Sequence, residues 1–91
     1  MKVKLLSFVL RAKNRRQVLL LLSKERLTPS QIMRRTGMYE SHTSRTLKEL
    51  ANKKLILCEN PSERRFRFYI ITKLGKKVIK EVEKILKEIK I

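Results

Sequence analysis

Between Leu27 and Leu50 the chain carries two helix signals back to back, with only a few residues free to turn between them. Thr28-Pro29-Ser30-Gln31 opens the first: a hydroxyl for the N-cap, a proline whose fixed φ suits the first helical position, and glutamine at the third. Gly37 closes it, since glycine enters the left-handed conformation of a helix C-cap without a Cβ clash. The stretch from Gly37 to Leu50, GMYESHTSRTLKEL, then reads as a turn and a second helix running from about Glu40 to Lys53. At about 100° per residue this helix has two faces. With Thr43 inward, Thr46, Leu47 and Leu50 share its side, while Ser41, Arg45, Lys48 and Asn52 point the opposite way, flanked by His42 and Ser44. Such a chain must pack both helices on a common core, which leaves the outer face of the second one free.

Charge says what would meet that face. The 91 residues make one domain, 1–91, with 42% hydrophobic content to form a core, and a chain of this size buries roughly 60% of its unfolded surface. Lys and Arg number 24 against 8 acids, all Glu, for a net charge of +16. A solubilising coat mixes signs and keeps its net charge small. This imbalance marks a polyanionic partner, nucleic acid first and an acidic membrane surface or acidic protein after it.

Cys58, the one cysteine, excludes an internal disulfide and a Cys-based zinc cluster. In its alternating apolar run it reads as a small core side chain, at home in a reducing cytoplasm. Lys2 and Lys4 precede the apolar run LLSFVL, which stops after six residues at Arg11. That is too short for a signal peptide or for a membrane span of about 20 residues, so a soluble cytoplasmic protein with no membrane partner is expected. High Lys, Ile and Glu without Asp or Trp hint at a heat-adapted source.

Elsewhere, Val3, Leu6, Val9 and Leu10 give a short helix over residues 3–12. Asn14, with Gln17 three residues on, offers an N-cap for a helix over Arg15–Lys24. Its VLLLL segment, Val18–Leu22, is apolar on nearly every side and must be central. Leu27 is expected to form a short β-bridge. Leu55–Glu59 and Arg64–Ile71 read as two strands joined by the turn residues Asn60-Pro61-Ser62-Glu63, a β-hairpin in which Phe66, Phe68, Tyr69 and Ile71 are sheet and core residues. Thr72 caps a last helix from Lys73 to about Ile89, with apolar residues Leu74, Val78, Val82, Ile85 and Ile89 and a partial second seam through Ile79 and Leu86.

The fold class is therefore mostly α with a small β-hairpin (α+β), and the order of elements is the plan of a winged helix-turn-helix with a long C-terminal helix. From about Arg11 to Val82 the chain resembles archaeal and bacterial winged-helix transcriptional regulators of the MarR/ArsR type. Four segments carry the likeness: LTPSQIMRRTG (27–37), the S-x-x-S-R-x-L-K-E-L pattern (41–50), the basic hairpin, and I-T-K-L-G (71–75). Tyr39 and Thr43 depart from it, standing where such proteins usually carry Ser or Thr and an aliphatic residue. The departure at Thr43 implies slightly looser packing under the second helix.

The plan assigns the basic and polar residues to double-stranded DNA. Ser41, His42, Ser44 and Arg45, near the end of the helix that enters a major groove, are candidate readers of base edges, Arg45 of guanine or a phosphate. Lys48 is a phosphate grip. Ser30, Gln31 and Arg34 lie at the preceding helix, whose free N–H groups suit a phosphate, although Gln31 can be held in its own capping box. Arg35 turns away and reads as solvated. Arg64, Arg65 and Arg67 sit where the resemblance aims a wing at the adjacent minor groove or its phosphates.

Leu6, Val78, Val82, Ile85, Leu86 and Ile89 are expected to pair the chain with a second copy, so that 13–72 is the winged-helix core and 3–12 and 73–91 are dimerisation helices. The same C-terminal stripe can instead fold back on its own core. One His, one Cys and no Asp, with no Gly-rich phosphate loop, argue against an enzyme, a cofactor or a metal site. No residue identifies a small-molecule effector. Three functions stay open: a sequence-specific transcriptional regulator, an architectural chromatin-type DNA binder with little sequence preference, and an RNA- or protein-binding winged helix.

Overall fold

The computed structural model describes residues 3–89; Lys2 and the last two residues of the 73–91 span lie outside the described residues. Seven elements follow in order: α1 (Val3–Leu10), α2 (Lys13–Leu22), α3 (Pro29–Thr36), α4 (Glu40–Asn52), β1 (Ile56–Cys58), β2 (Tyr69–Ile71) and α5 (Lys73–Ile89). This is the α+β winged helix-turn-helix plan expected of the sequence.

α2 is the hub. It packs on α1, α3, α4, α5 and β2, and its apolar run is what allows this: Val18, Leu19 and Leu22 are buried, and Leu20 and Leu21 pack against the core from the flanks. Ile32 of α3, Leu47 and Leu50 of α4, Leu55, Ile56, and Val78, Ile79 and Val82 of α5 close around it. Each such side chain contributes about 1.5–3 kcal/mol through burial.

The start of α2 differs from the expected one. Ala12 occupies the N-cap position, no side chain caps the helix, and Asn14 lies inside it. Only Arg11 and Ala12 separate α1 from α2, so the chain enters the new helix as soon as it has turned. Arginines of α2 instead serve the facing helix end: Arg16 donates to the Leu10 carbonyl and Arg15 to the Phe8 carbonyl at 2.8 Å. They satisfy orphan carbonyls where α1 ends.

β1 and β2 pair antiparallel with Ile56 opposite Ile71, Leu57 opposite Ile70 and Cys58 opposite Tyr69. Leu27 adds the expected bridge to Tyr69 through two backbone hydrogen bonds of 3.2 and 2.8 Å. The second strand is much shorter than the sequence suggests. Its Arg64–Phe68 portion is loop, and Cys58 is half-buried at the sheet's end rather than in the core. After the 2.8 Å bond from Glu59 N–H to the Phe68 carbonyl, the Asn60 side chain takes over the backbone groups. Its amide donates to the Phe66 carbonyl at 3.0 Å and its carbonyl accepts from the Phe68 N–H at 2.9 Å.

Thr72 joins sheet to helix as expected, accepting from the Gly75 N–H at 3.0 Å. At Gly75 α5 comes so close to the sheet that an added Cβ would overlap the Leu55 carbonyl oxygen and lie 2.6 Å from Ile71 Cγ1. The C-terminal stripe is divided between two environments. Val78 and Val82, expected to face a second copy, are fully buried under the chain's own α1 and α2, because α5 lies back along both helices. Leu6 and Leu86 also pack against this core, Ile85 is half-buried, and Ile89 is 71% exposed.

Candidate nucleic-acid interface

α3 and α4 are fixed by local chemistry. The Thr28 hydroxyl accepts from the Gln31 N–H at 3.2 Å while the Gln31 side chain accepts from the Thr28 N–H at 2.9 Å, a closed capping box. Gly37 takes φ 75° and returns its N–H to the Met33 carbonyl at 2.8 Å. Tyr39 is the N-cap of α4 but its side chain makes no cap; it is 77% exposed, edge-on to His42 with centroids 6.1 Å apart. Glu40 supplies the acid in the first turn, where the helix dipole favours one.

Thr43, Thr46, Leu47 and Leu50 are the buried residues of α4, and Ser41, His42, Ser44, Arg45 and Lys48 are all exposed. The Thr43 hydroxyl, in its buried setting, donates to the Tyr39 carbonyl at 3.0 Å. A partly buried ion pair sets how α4 sits on its scaffold: Arg15 of α2 meets Glu49 through two hydrogen bonds of 3.2 Å and lies 3.9 Å from the Phe8 ring centroid of α1. One guanidinium thus binds three helices.

Three grooves border α4 and the wing. His42 and Arg45 share the first with Lys13, Asn14 and Arg15 at the start of α2. Ser44, Lys48 and Glu40 share the second with Pro29, Met33, Tyr69 and Arg67. The third, of about 620 Å³, lies between the N-terminus of α3 and the wing and holds Ser30, Gln31, Arg34, Arg64, Arg65, Phe66 and Arg67. Pro29 and Arg67 line both the second and the third, which therefore adjoin. Of the candidate DNA contacts, only Ser41 lies on none of them, although it is exposed.

Charge is allocated unevenly. Glu49 pairs with Arg15, Glu59 with Arg26 and Glu25 with Arg35, the last at 3.1 Å, so Arg35 is ion-paired rather than merely solvated. Among the described residues Arg34, Arg45, Lys48, Arg64 and Arg65 meet no carboxylate, and every one lines a groove. Arg67 is partly committed: it donates to the Glu63 and Pro61 carbonyls at 2.6 and 3.1 Å and so braces the wing loop.

Sequence reasoning missed Lys13 and Asn14, which the α1–α2 corner delivers to the first groove, and Glu40, which brings an acceptor to the second. It also placed Phe66 in the sheet; that side chain is 75% exposed at the wing tip, with φ 57°. Only the arginine run around Phe66 hinted at its exposure. Among the described residues no group of three His, Cys, Asp or Glu side chains is placed to hold a metal ion, and no helix is long and apolar enough to cross a membrane.

Comparison with known proteins places this geometry. The HTH-type transcriptional regulator TcaR of Staphylococcus aureus (strain Newman) is 35% identical over 75 residues, 79% of this chain and 50% of that protein. The chain thus spans about half the length of the curated relatives it matches. Among solved structures, a MarR family regulator from Neisseria meningitidis superposes with TM-score 0.70 at 26% identity, covering 84% of this chain and 55% of that one. ZitR from Lactococcus lactis in complex with DNA superposes with TM-score 0.71 at 20% identity, covering 82% and 52%. TcaR is a transcriptional regulator and the Neisseria protein a MarR family regulator, and the winged-helix fold of such regulators is the fold of this chain. The family described as HVO_A0261 N-terminal domain matches residues 4–91. With that match spanning nearly its whole length, the chain belongs to the HVO_A0261 N-terminal domain family.

Proposed function

We propose that the chain is the DNA-binding part of a sequence-specific transcriptional regulator, with α4 inserted in the major groove and the wing, residues 60–67, on the adjacent minor groove or its backbone. One observation carries the reading: Arg34, Arg45, Lys48, Arg64 and Arg65 meet no carboxylate among the described residues, and all line grooves around α4 and the wing. Ser41, His42, Ser44 and Arg45 are the readers of base edges. Ser30, Gln31, Arg34 and Lys48 seat phosphates, and Arg64, Arg65 and Arg67 serve the minor groove. The complex of ZitR with DNA supports the choice of duplex DNA.

Two copies acting together belong to the same reading. The distal part of α5, with Ile85, Leu86 and Ile89, meets its twin beside Leu6 of α1, leaving residues 13–72 as the reading head. Exposure of Ile89 at 71% and Val3 at 77% supports this. A twofold pair sets its two α4 helices about 34 Å apart, or a multiple of that, on a pseudo-palindrome. The setting is the cytoplasm.

The net charge of +16 favours a second reading, an architectural protein that holds DNA of any sequence. Selection of bound fragments from random duplex, then anisotropy titration of the winner against a scrambled duplex at fixed ionic strength, separates the two. A regulator binds its own site at least about a thousandfold better; equal affinities establish the architectural reading instead. Structured RNA displacing the selected duplex overturns both.

A further inference from the structure

Phe66 has no structural task that accounts for its position. Its ring is 75% exposed, although its neighbour in the same alternation, Phe68, is half-buried with the Arg26 guanidinium 4.5 Å from its ring centroid. In a regular strand the two would share a face. Phe66 instead takes φ 57°, the left-handed region that bulky L-residues rarely adopt. Hydrogen bonds on both sides hold it there: Asn60 grips the Phe66 carbonyl and the Phe68 N–H, and Arg67 braces the Glu63 and Pro61 carbonyls. The loop is built to present this ring outward.

The surroundings select what the ring meets. Arg64 and Arg65 precede it and share its groove, exposed and with no carboxylate partner among the described residues, and Arg34 lines the same groove from α3. An aromatic ring among unpaired guanidiniums suits a partner with both anionic groups and flat apolar faces. We propose that Phe66 is a wedge that enters the minor groove of bound duplex DNA and partly unstacks one base step, while Arg64 and Arg65 hold the flanking phosphates. Apolar side chains inserted in this way open and bend the duplex toward the major groove, where α4 lies in the reading above. The inference rests on that reading and adds a contact to it.

The test uses the intact chain and a duplex selected by it, carrying 2-aminopurine at successive positions under the wing. The wild type is expected to raise the fluorescence at one step, as unstacking does. Phe66→Ala abolishes that rise and weakens binding at least tenfold, whereas Phe66→Leu keeps part of both. Phe66→Gly, which adopts φ 57° freely, melts no lower than wild type yet binds as weakly as Phe66→Ala. Tight wild-type binding with no fluorescence rise, or Phe66→Ala matching wild type in both signals, overturns the wedge and leaves the DNA reading standing. Failure of the wild type to bind any duplex overturns the DNA reading itself.

Discussion

The α3–α4 pair and the wing border the same grooves, yet they are held in place by different forces. α4 is anchored by Thr43, Thr46, Leu47 and Leu50, all buried, and its neighbour α3 by a closed capping box and a left-handed glycine. The wing between Cys58 and Tyr69 has seven consecutive exposed residues, 61–67, and is shaped by the polar side chains of Asn60 and Arg67. The first region therefore shares the stability of the whole domain. The second can lose its shape while the domain stays folded. A surface made this way combines a stiff element with one whose form depends on a few hydrogen bonds.

Substitutions can break that contrast or sharpen it. The largest effect is expected from Val82→Glu, which puts a carboxylate among fully buried residues of the hub and should cost about 4 kcal/mol or more. Thermal melting should show loss of the entire fold; a folded monomer would instead return Val82 to a subunit interface. Next is Arg45→Ala, expected to cost about 1–3 kcal/mol of binding to the selected duplex and to relax preference at one base pair. A uniform loss across all sequences makes Arg45 a phosphate clamp.

Asn60→Ala probes the wing. It should weaken DNA binding by about 1–2 kcal/mol through loss of the loop's shape, while melting changes little. A melting drop as large as the binding loss would show that the wing is not separable from the core. Thr28→Ala opens the capping box and should cost about 1 kcal/mol of stability, read by urea denaturation. Ile89→Glu is the gentlest for the fold, within about 0.5 kcal/mol because the residue is mostly exposed. Light scattering should nevertheless report a halved mass; an unchanged mass removes the distal part of α5 from the pairing surface.

The same contrast explains what could be read from the sequence. Gly37, the Thr28 box, the two faces of α4 and the span of α5 all depend on residues three or four apart, so spacing reveals them. Other features depend on partners distant in the chain. The α1–α2 corner is closed by Arg15 and Arg16 reaching back to carbonyls, which a search for an Asn cap cannot find. Strand period 2 extends through Arg64–Phe68 on paper, but Asn60 captures the backbone there. α4 ends with Lys54 at φ 60° and the Leu55 N–H bonded to the Leu50 carbonyl, a left-handed exit made without glycine. Periodicity also gave α5 an apolar stripe without saying what covers it. Val78 and Val82 are claimed by α1 and α2 because the helix lies back along them.

The allocation of glutamates has a last consequence. An acid beside a cation replaces the small anions that would otherwise gather there, so Arg15, Arg26 and Arg35 bring no such cloud of their own. On the DNA reading proposed above, Arg34, Lys48, Arg64 and Arg65 would meet phosphates with no carboxylate beside them, and each phosphate neutralised would free a condensed counterion. Four such contacts per copy correspond to a log–log slope of affinity against salt of about −3.6, and about −7 for a pair. On that reading, the grip of this surface would be in large part the entropy of the ions it sets free.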